Sequence, residues 1–297
     1  MSIRFDGRVV IVTGAGGGLG RAHALAFAAR GAKVVVNDLG TARDGSGSTD
    51  AAANVVAEIH ALGGEAISNR ANVTDVAEVQ AMVETAMTRW GRVDVLVNNA
   101  GILRDKTFAK MDLKDFRLVV DVHLMGSINA TKAVWDIMRG QNYGRIVMTT
   151  SSSGLYGNFG QANYSAAKLA LVGAMQTLGI EGDRYGIRVN SLAPTAATRM
   201  TADVMDEGTL GRLAPELVSP AVLFLASENA PNRCILAAGA GGFEVANITL
   251  TRGIYAVGDD AAEQIEAKFA AMEDRTGEQV PQSGSVQAEV ELAKRCS

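Results

Sequence analysis

The stretch Thr13-Gly14-Ala15-Gly16-Gly17-Gly18-Leu19-Gly20 decides the fold of this chain. An apolar run, residues 9–12, precedes it and a helix-forming segment follows it, which predicts a strand, a tight turn and a helix. Glycines let the backbone approach a pyrophosphate closely, and the N-terminus of the next helix offers free N–H groups. A glycine-rich turn without a ligand is the alternative, but the strand and the helix around it favour a dinucleotide-binding site.

Apolar, β-branched runs recur along the chain and alternate with helical segments. The runs are residues 9–12, 33–37, 93–97, 145–148 and 187–192, and the helical candidates include residues 76–90 and 113–138. Continuous apolar strands separated by helices predict a parallel sheet that is covered on both faces. We therefore expect an α/β fold, a Rossmann-type doubly wound parallel sheet of about seven strands flanked by helices, with a C-terminal extension.

The composition is that of an ordinary globular chain. Of the 297 residues, 47% are hydrophobic and 20% are charged, so a core can form without disulfides. The net charge is −4 and no block of Lys or Arg stands out, which argues against a nucleic-acid partner. The two cysteines lie far apart, no His/Cys cluster has the spacing of metal ligands, and no apolar stretch is long enough to span a membrane. These features, with a charged N-terminus that lacks an apolar leader, predict a cytoplasmic protein without a metal.

The sequence predicts one large domain and a short C-terminal extension. Length alone suggests two domains, but the motifs assign residues 1–240 to one dinucleotide-binding domain. Residues 241–297 are too few to form a core easily, so we expect an extension packed on the domain or on a partner subunit.

A second motif carries the candidate chemistry. Tyr164 and Lys168 form a Tyr-x-x-x-Lys pattern in a helix-forming stretch, which places both side chains on one face. A free tyrosine, with a pKa of about 10, is a poor base, and a nearby ammonium favours the phenolate. Ser151 follows the strand predicted at residues 145–148, and its hydroxyl can donate to a substrate oxygen. Ser152 and Ser153 compete for that assignment and equally suit a turn.

The combination resembles the short-chain dehydrogenase/reductase family. Thr13, Gly14, Gly18 and Gly20 match the family's Thr-Gly-x-x-x-Gly-x-Gly loop, and the Ser/Tyr/Lys set has the family's spacing. The resemblance implies an NAD-type cofactor and a catalytic set of Ser151, Tyr164 and Lys168. It assigns cofactor contacts to these residues: Thr13, Gly14, Gly18, Leu19, Gly20, Asn72, Val73, Asn99, Ala100, Gly101, Tyr164, Lys168, Pro194 and Thr198.

Asp38 indicates which dinucleotide binds. It ends the second strand, about 20 residues after the glycine loop, where an acid can bind the adenosine ribose hydroxyls. A carboxylate there repels the 2′-phosphate of NADP, so NAD is favoured. An Asp that caps its own turn is the alternative. Arg43, nearby, is the residue that would reverse the preference.

Three departures from the family pattern leave roles open. His123 stands where the family has an Asn that supports a water near the lysine, so it either supports the proton relay or is a structural histidine. Thr195 replaces a Gly after Pro194, and we expect Thr198 to contact the nicotinamide carboxamide. The segment from Thr198 to about Leu213 is the expected substrate lid.

A longer resemblance narrows the substrate. Residues 36–40, 101–105 and 156–168, with His123, look like the dehydrogenase part of the type 2 peroxisomal multifunctional enzymes. That implies NAD-dependent oxidation of a (3R)-3-hydroxyacyl-CoA to the 3-oxoacyl-CoA, in fatty-acid or sterol side-chain degradation. A 17β-hydroxysteroid dehydrogenase acting on free steroids, an NADPH-dependent 3-oxoacyl-ACP reductase and a non-enzymatic sensor on the same fold are the alternatives. The helical stretches at residues 113–138 and 163–185 carry surplus apolar residues. The family resemblance implies that this pair forms a dimer interface, so we expect a homodimer or homotetramer.

Overall fold

The computed structural model describes residues 2–42, 44–47, 49–197 and 211–296. Its eight strands lie in one sheet and are β1 (Val9–Thr13), β2 (Lys33–Asn37), β3 (Glu65–Asn69), β4 (Val95–Asn98), β5 (Gly144–Thr149), β6 (Ile187–Thr195), β7 (Ile235–Gly239) and β8 (Gly242–Ala246). The order across the sheet is β3-β2-β1-β4-β5-β6-β7-β8. The first seven strands pair in parallel, which confirms the predicted Rossmann-type α/β class.

Helices connect the parallel strands, as a parallel sheet requires. The connecting helices are α1 (Gly18–Ala28), α2 (Ala51–Ala61), α3 (Val76–Trp90), α4 (Leu113–Val120), α5 (Gly126–Gln141), α6 (Ser152–Tyr156), α7 (Ala162–Asp183) and α8 (Ser219–Leu225). Three more follow the last strand: α9 (Ala261–Ala267), α10 (Phe269–Met272) and α11 (Ser285–Ala293). Among the described residues, no helix is long and apolar enough to cross a bilayer.

The sheet places the loops that form the site. β1 and β4 are fully buried, and the chain leaves β1 for β2 on one side and reaches β4 on the other. Ligands of such sheets bind at this reversal, beyond the carboxyl ends of the strands. The glycine loop after β1 and the turns after β2, β3 and β4 all lie at that edge.

Two details differ from the sequence prediction. β6 continues to Thr195 instead of ending at residue 192, because Pro194 and Thr195 pair with Ala238 and Gly239 of β7. The helix predicted over residues 113–138 is divided by a π-helical segment, Asp121–Met125, which carries His123.

The chain divides into two compact units, Met1–Val245 and Ala246–Ser297. The first unit extends past residue 240 because a two-residue turn at Ala240 and Gly241 adds β8 to the sheet. In the second unit no residue from 246 to 295 is buried, which agrees with a segment too short for a core of its own. Its packing on the first unit or on a partner stays a prediction.

Candidate active site

A cleft lies at the sheet edge where the loops after β1 to β4 meet. It is lined by most residues that the sequence assigned to the cofactor: Gly14, Gly18, Leu19, Gly20, Asp38, Asn72, Val73, Asn99, Ala100 and Gly101. The loops that the sequence analysis treated separately therefore form one binding surface.

The glycines of the loop keep this surface open. Gly14 has φ +63°, and a Cβ there would lie 2.7 Å from the Cα of Ala100. A Cβ on Gly20 would overlap the carbonyl oxygen of Gly14. Side chains at these positions would thus force the loop away from β4 and fill the space that a pyrophosphate needs.

Thr13 stands behind the loop and holds it in place. Its buried hydroxyl oxygen accepts hydrogen bonds from the backbone N–H groups of Asn99 (3.0 Å) and Ala100 (3.1 Å). The Asn99 side-chain amide in turn donates to the carbonyl oxygens of Thr13 and Gly14, each at 3.0 Å. Thr13 and Asn99 therefore fasten the loops after β1 and β4 to each other.

Asp38 caps its own turn and also contacts the glycine loop. One carboxylate oxygen accepts the N–H of Gly40 at 2.7 Å, which is the expected capped turn. The other accepts the N–H of Gly16 at 2.7 Å, so the carboxylate stands against the glycine loop within the cleft.

Asn72 lines the cleft but its side-chain oxygen is already engaged. That oxygen accepts hydrogen bonds from the N–H (3.0 Å) and the hydroxyl (2.9 Å) of Thr74. The family resemblance assigns Asn72 a cofactor contact, and a contact through this oxygen would require a rearrangement of the turn. Val73, next to it, is buried against Gly126 of α5.

Ser151, Tyr164 and Lys168 come together from β5, α6 and α7. Ser151 is the N-cap of α6, where its side-chain oxygen accepts the N–H of Ser153 at 3.2 Å. The Lys168 ammonium lies 5.5 Å from the centre of the Tyr164 ring, and both side chains occupy one face of α7, as the spacing predicts. Ser152 is exposed and Ser153 is partly exposed, whereas Ser151 is buried beside Tyr164.

Burial controls the charge of Lys168. The side chain is 3% exposed, and its ammonium donates to the carbonyl oxygen of Thr149 at 2.6 Å. Burial lowers the pKa of Lys168 from 10.5 to about 7. The group therefore gains and loses its proton near neutral pH.

Tyr164 departs from the expectation that the ammonium favours its phenolate. Burial raises the pKa of Tyr164 above its ordinary 10.0, a hydrogen bond with the Ser151 side chain opposes the rise, and the charge of Asp105 adds to it. Desolvation of the phenolate thus outweighs its nearby hydrogen bond. Tyr164 is a neutral phenol at neutral pH in this structure.

His123 is buried between the cleft and Tyr164. Its Nε2 lies 3.1 Å from the N–H nitrogen and 2.8 Å from the carbonyl oxygen of Ile102, and its Nδ1 is buried without a hydrogen-bond partner. Burial first, and the charge of Lys168 second, hold its pKa well below 6.5. A neutral imidazole is therefore present throughout the physiological pH range.

The end of β6 lies partly outside the described residues. Pro194 and Thr195 complete the strand, and Gly239 of β7 faces Thr195 so closely that a Cβ there would lie 2.9 Å from the Thr195 Cβ. The threonine at the family's glycine position is thus matched by a glycine on the neighbouring strand. Thr198, Arg43 and most of the expected lid lie outside the described residues.

The sequence analysis missed Asn163. Its side chain is fully buried, its amide nitrogen donates to the Arg104 carbonyl oxygen (3.1 Å), and its oxygen accepts the Tyr164 N–H (2.8 Å). Its only signal in the sequence is a polar residue immediately before the tyrosine.

The amino-acid sequence is similar to a known family and to curated proteins. Residues 8–208 match the family model for short chain dehydrogenases. The chain is 55% identical over 228 residues to the peroxisomal multifunctional enzyme type 2 of Mus musculus, which covers 76% of this chain and 31% of the mouse protein. This chain therefore spans about a third of that relative's length.

Solved structures agree with the sequence comparison. Full-length peroxisomal multifunctional enzyme type 2 from Drosophila melanogaster superposes with a TM-score of 0.81 at 36% identity, covering 99% of this chain and 50% of that chain. A 7α-hydroxysteroid dehydrogenase complexed with NADH and 7-oxo glycochenodeoxycholic acid superposes with a TM-score of 0.72 at 32% identity, covering 80% of this chain and 95% of that chain.

Proposed function

Because this chain belongs to the short-chain dehydrogenase family, we propose that it oxidises (3R)-3-hydroxyacyl-CoA thioesters to 3-oxoacyl-CoA with NAD. The observation that carries the proposal is the meeting of Ser151, Tyr164 and Lys168, which His123 connects to Gly101 of the glycine-lined cleft. The acyl-CoA substrate is supported by the 55% identity to a peroxisomal multifunctional enzyme type 2, and the wider assignment as an alcohol dehydrogenase-type oxidoreductase follows from the family itself.

The cleft fits a nicotinamide dinucleotide. Gly14, Gly18 and Gly20 would hold the pyrophosphate, because a turn without side chains lets the phosphates approach the backbone closely. Gly14 and Gly20 cannot be replaced without a collision between the new side chain and the backbone. The Asp38 carboxylate would bind the adenosine ribose hydroxyls and repel a 2′-phosphate, which favours NAD over NADP. When bound, the nicotinamide ring supplies the hydride acceptor.

The catalytic side chains divide the proton transfer among them. Ser151 donates its hydroxyl hydrogen to the substrate oxygen and orients the alcohol towards Tyr164. Tyr164 must first lose its own phenol proton, because its raised pKa keeps it neutral at neutral pH. The phenolate then accepts the proton of the 3-hydroxyl as hydride leaves carbon 3. Lys168, whose pKa of about 7 allows exchange near neutrality, stabilises the phenolate when protonated and passes protons outward. As the pH rises above neutral, loss of the Tyr164 proton favours oxidation, while Lys168 loses the charge that stabilises the phenolate.

His123 has a supporting role in this proposal. Its buried ring keeps Tyr164 in position, and its unpartnered Nδ1 can accept a hydrogen bond from a water near Lys168. The group that titrates near neutrality is Lys168, because the pKa of His123 lies well below 6.5.

A steroid dehydrogenase is the second candidate, favoured by the likeness to a 7α-hydroxysteroid dehydrogenase. Rates measured by NADH absorbance on a panel of (3R)-3-hydroxyacyl-CoA thioesters of varied chain length, and on 17β-hydroxysteroids, separate the two. We expect turnover of the thioesters with NAD and little with NADP. Turnover of free steroids alone would replace the proposed substrate, and a preference for NADPH would favour an acyl-carrier-protein reductase.

We also propose a homodimer or homotetramer in a reducing, cytoplasmic compartment. For the assembly, the support is that large apolar side chains remain exposed on α4 and α7, including Leu113 (61% exposed) and Ile180 (50%). For the compartment, the support is the free thiol of Cys234. Light scattering coupled to gel filtration tests the assembly, and a monomer at micromolar concentration would contradict it.

A further inference from the structure

The proposed function gives a role to Gly101 but to none of the four residues that follow it, Ile102-Leu103-Arg104-Asp105. We propose that Arg104 is a positioning residue that fastens the loop after β2 over the dinucleotide cleft and ties it to the helix that carries Tyr164. This assignment rests on the proposed use of a nicotinamide dinucleotide.

The loop after β2 forms one wall of the cleft. It is described at residues 39–42, 44–47 and 49, and four of these, Leu39, Thr41, Ala42 and Gly45, line the cleft. A Cβ on Gly45 would lie 3.6 Å from the Ile102 side chain, at ordinary contact distance. The loop therefore reaches across to the wall formed after β4.

The Arg104 guanidinium holds this loop by its backbone. Nε and Nη2 donate to the Asp44 carbonyl oxygen at 3.0 and 2.7 Å, and Nη1 pairs with the Asp115 carboxylate at 3.3 Å. A planar guanidinium can direct two parallel N–H groups at one acceptor, which the ammonium of a lysine cannot reproduce. Asp115, on α4, fixes the orientation of the guanidinium.

The Arg104 backbone is anchored to the catalytic helix. Its carbonyl oxygen accepts the buried Asn163 amide, which also caps the Tyr164 N–H. Next to it, the Asp105 carboxylate accepts the Gln161 amide at 2.7 Å. Arg104 thus joins the cofactor wall, through its side chain, to the segment that sets the position of Tyr164, through its backbone.

In this assignment, a dinucleotide under the loop leaves when the loop moves away from Ile102. Without the charge-assisted hydrogen bonds from Arg104 to Asp44, the loop after β2 is no longer held in place. The loss of such bonds typically changes a dissociation rate or a binding constant by roughly tenfold. We therefore expect Arg104→Ala to release NADH roughly tenfold faster and to raise the KM for NAD in proportion, with a smaller change in kcat at saturating NAD. Arg104→Lys keeps the positive charge but not the planar guanidinium, so its rate of NADH release should lie between those of the unchanged chain and Arg104→Ala.

The test is stopped-flow release of NADH, followed by its fluorescence, from the full chain and from Arg104→Ala, Arg104→Lys and Arg117→Ala. Arg117 is an exposed arginine on α4, so its removal is the matched control for lost charge, and circular dichroism checks folding. Faster release from the Arg104 variants but not from Arg117→Ala supports the assignment. If the full chain binds NADH but the folded Arg104→Lys and Arg104→Ala variants release it at an unchanged rate, the assignment is overturned and the proposed function stands. Failure of the full chain itself to bind NADH would instead overturn the proposed function and the assignment with it.

Discussion

The imidazole of His123 stands edge-on to the phenol ring of Tyr164, with the ring centroids 5.1 Å apart and the ring planes at 89°. Aromatic pairs favour this geometry. Since Nε2 is held at Ile102 and the ring lies directly on Gly101, the imidazole is fixed before any substrate arrives. The position of the proposed proton acceptor therefore depends on a residue outside the Ser/Tyr/Lys set.

Replacing His123 with alanine should lower kcat by at least about tenfold and leave the KM for NAD nearly unchanged, because Tyr164 loses its neighbour while the glycine loop does not. The cavity should reduce the free energy of unfolding by about 2–4 kcal/mol. Steady-state kinetics and urea unfolding measure the two effects. His123→Asn is the comparison, since it restores the residue type that the family resemblance expects. An unchanged kcat in folded His123→Ala would exclude the positioning role.

Gly101→Ala should destabilise the protein by about 1–3 kcal/mol, because the new methyl group would overlap the imidazole of His123. Combining it with His123→Ala should recover part of that loss, since the small side chain at position 123 makes room. A double-mutant cycle in urea measures the coupling. Strictly additive losses would show that the ring and the glycine do not constrain each other.

Asp38→Ala should weaken NAD binding by about tenfold or more and narrow the preference over NADP, because the carboxylate at the glycine loop is lost. Cofactor titrations with both dinucleotides give the ratio. Asp50→Ala is the matched control, since Asp50 lies just before α2 and pairs with Arg70 at the surface. If the NAD/NADP ratio stays the same in Asp38→Ala, the ribose assignment fails.

Lys168 should make stability depend on pH. Its pKa is about 7 when folded and 10.5 ordinarily, so between these values the unfolded chain binds more protons and the free energy of unfolding rises with pH. The rise is at most about 1.4 kcal/mol per pH unit. Urea unfolding of the full chain and of Lys168→Met across this window isolates the contribution, because other groups cancel in the difference. Equal pH slopes would mean that Lys168 titrates normally in the folded protein.

Local sequence patterns predicted the parts of the fold that depend on period and turn chemistry. α3 begins at Val76 and ends at Trp90 as predicted, and β2 spans residues 33–37, because both carry a clear apolar pattern. The apolar pattern does not predict β3, because only Ala66 is buried in this edge strand and the apolar signal is weak. The π-helical segment that aims His123 has no local signature.

The candidate site divides in the same way. The positions of Ser151, Tyr164 and Lys168 follow from spacing along strand and helix, and the structure brings them together. The direction of the Tyr164 pKa does not follow from spacing, because it depends on how much water the fold excludes. The links from Arg104 to Asp44 and to Asn163 join distant segments and are visible only in three dimensions.

The central claim is that Tyr164 accepts the substrate proton. The most direct measurement is NADH formation by Tyr164→Phe on a (3R)-3-hydroxyacyl-CoA, with NADH binding followed separately by fluorescence and with Tyr156→Phe, an exposed tyrosine on α6, as the control. We predict that Tyr164→Phe loses a factor of about 10²–10⁴ in kcat, the usual contribution of a general acid or base, while binding NADH normally. The control should keep full activity. Near-normal turnover by Tyr164→Phe would contradict the account.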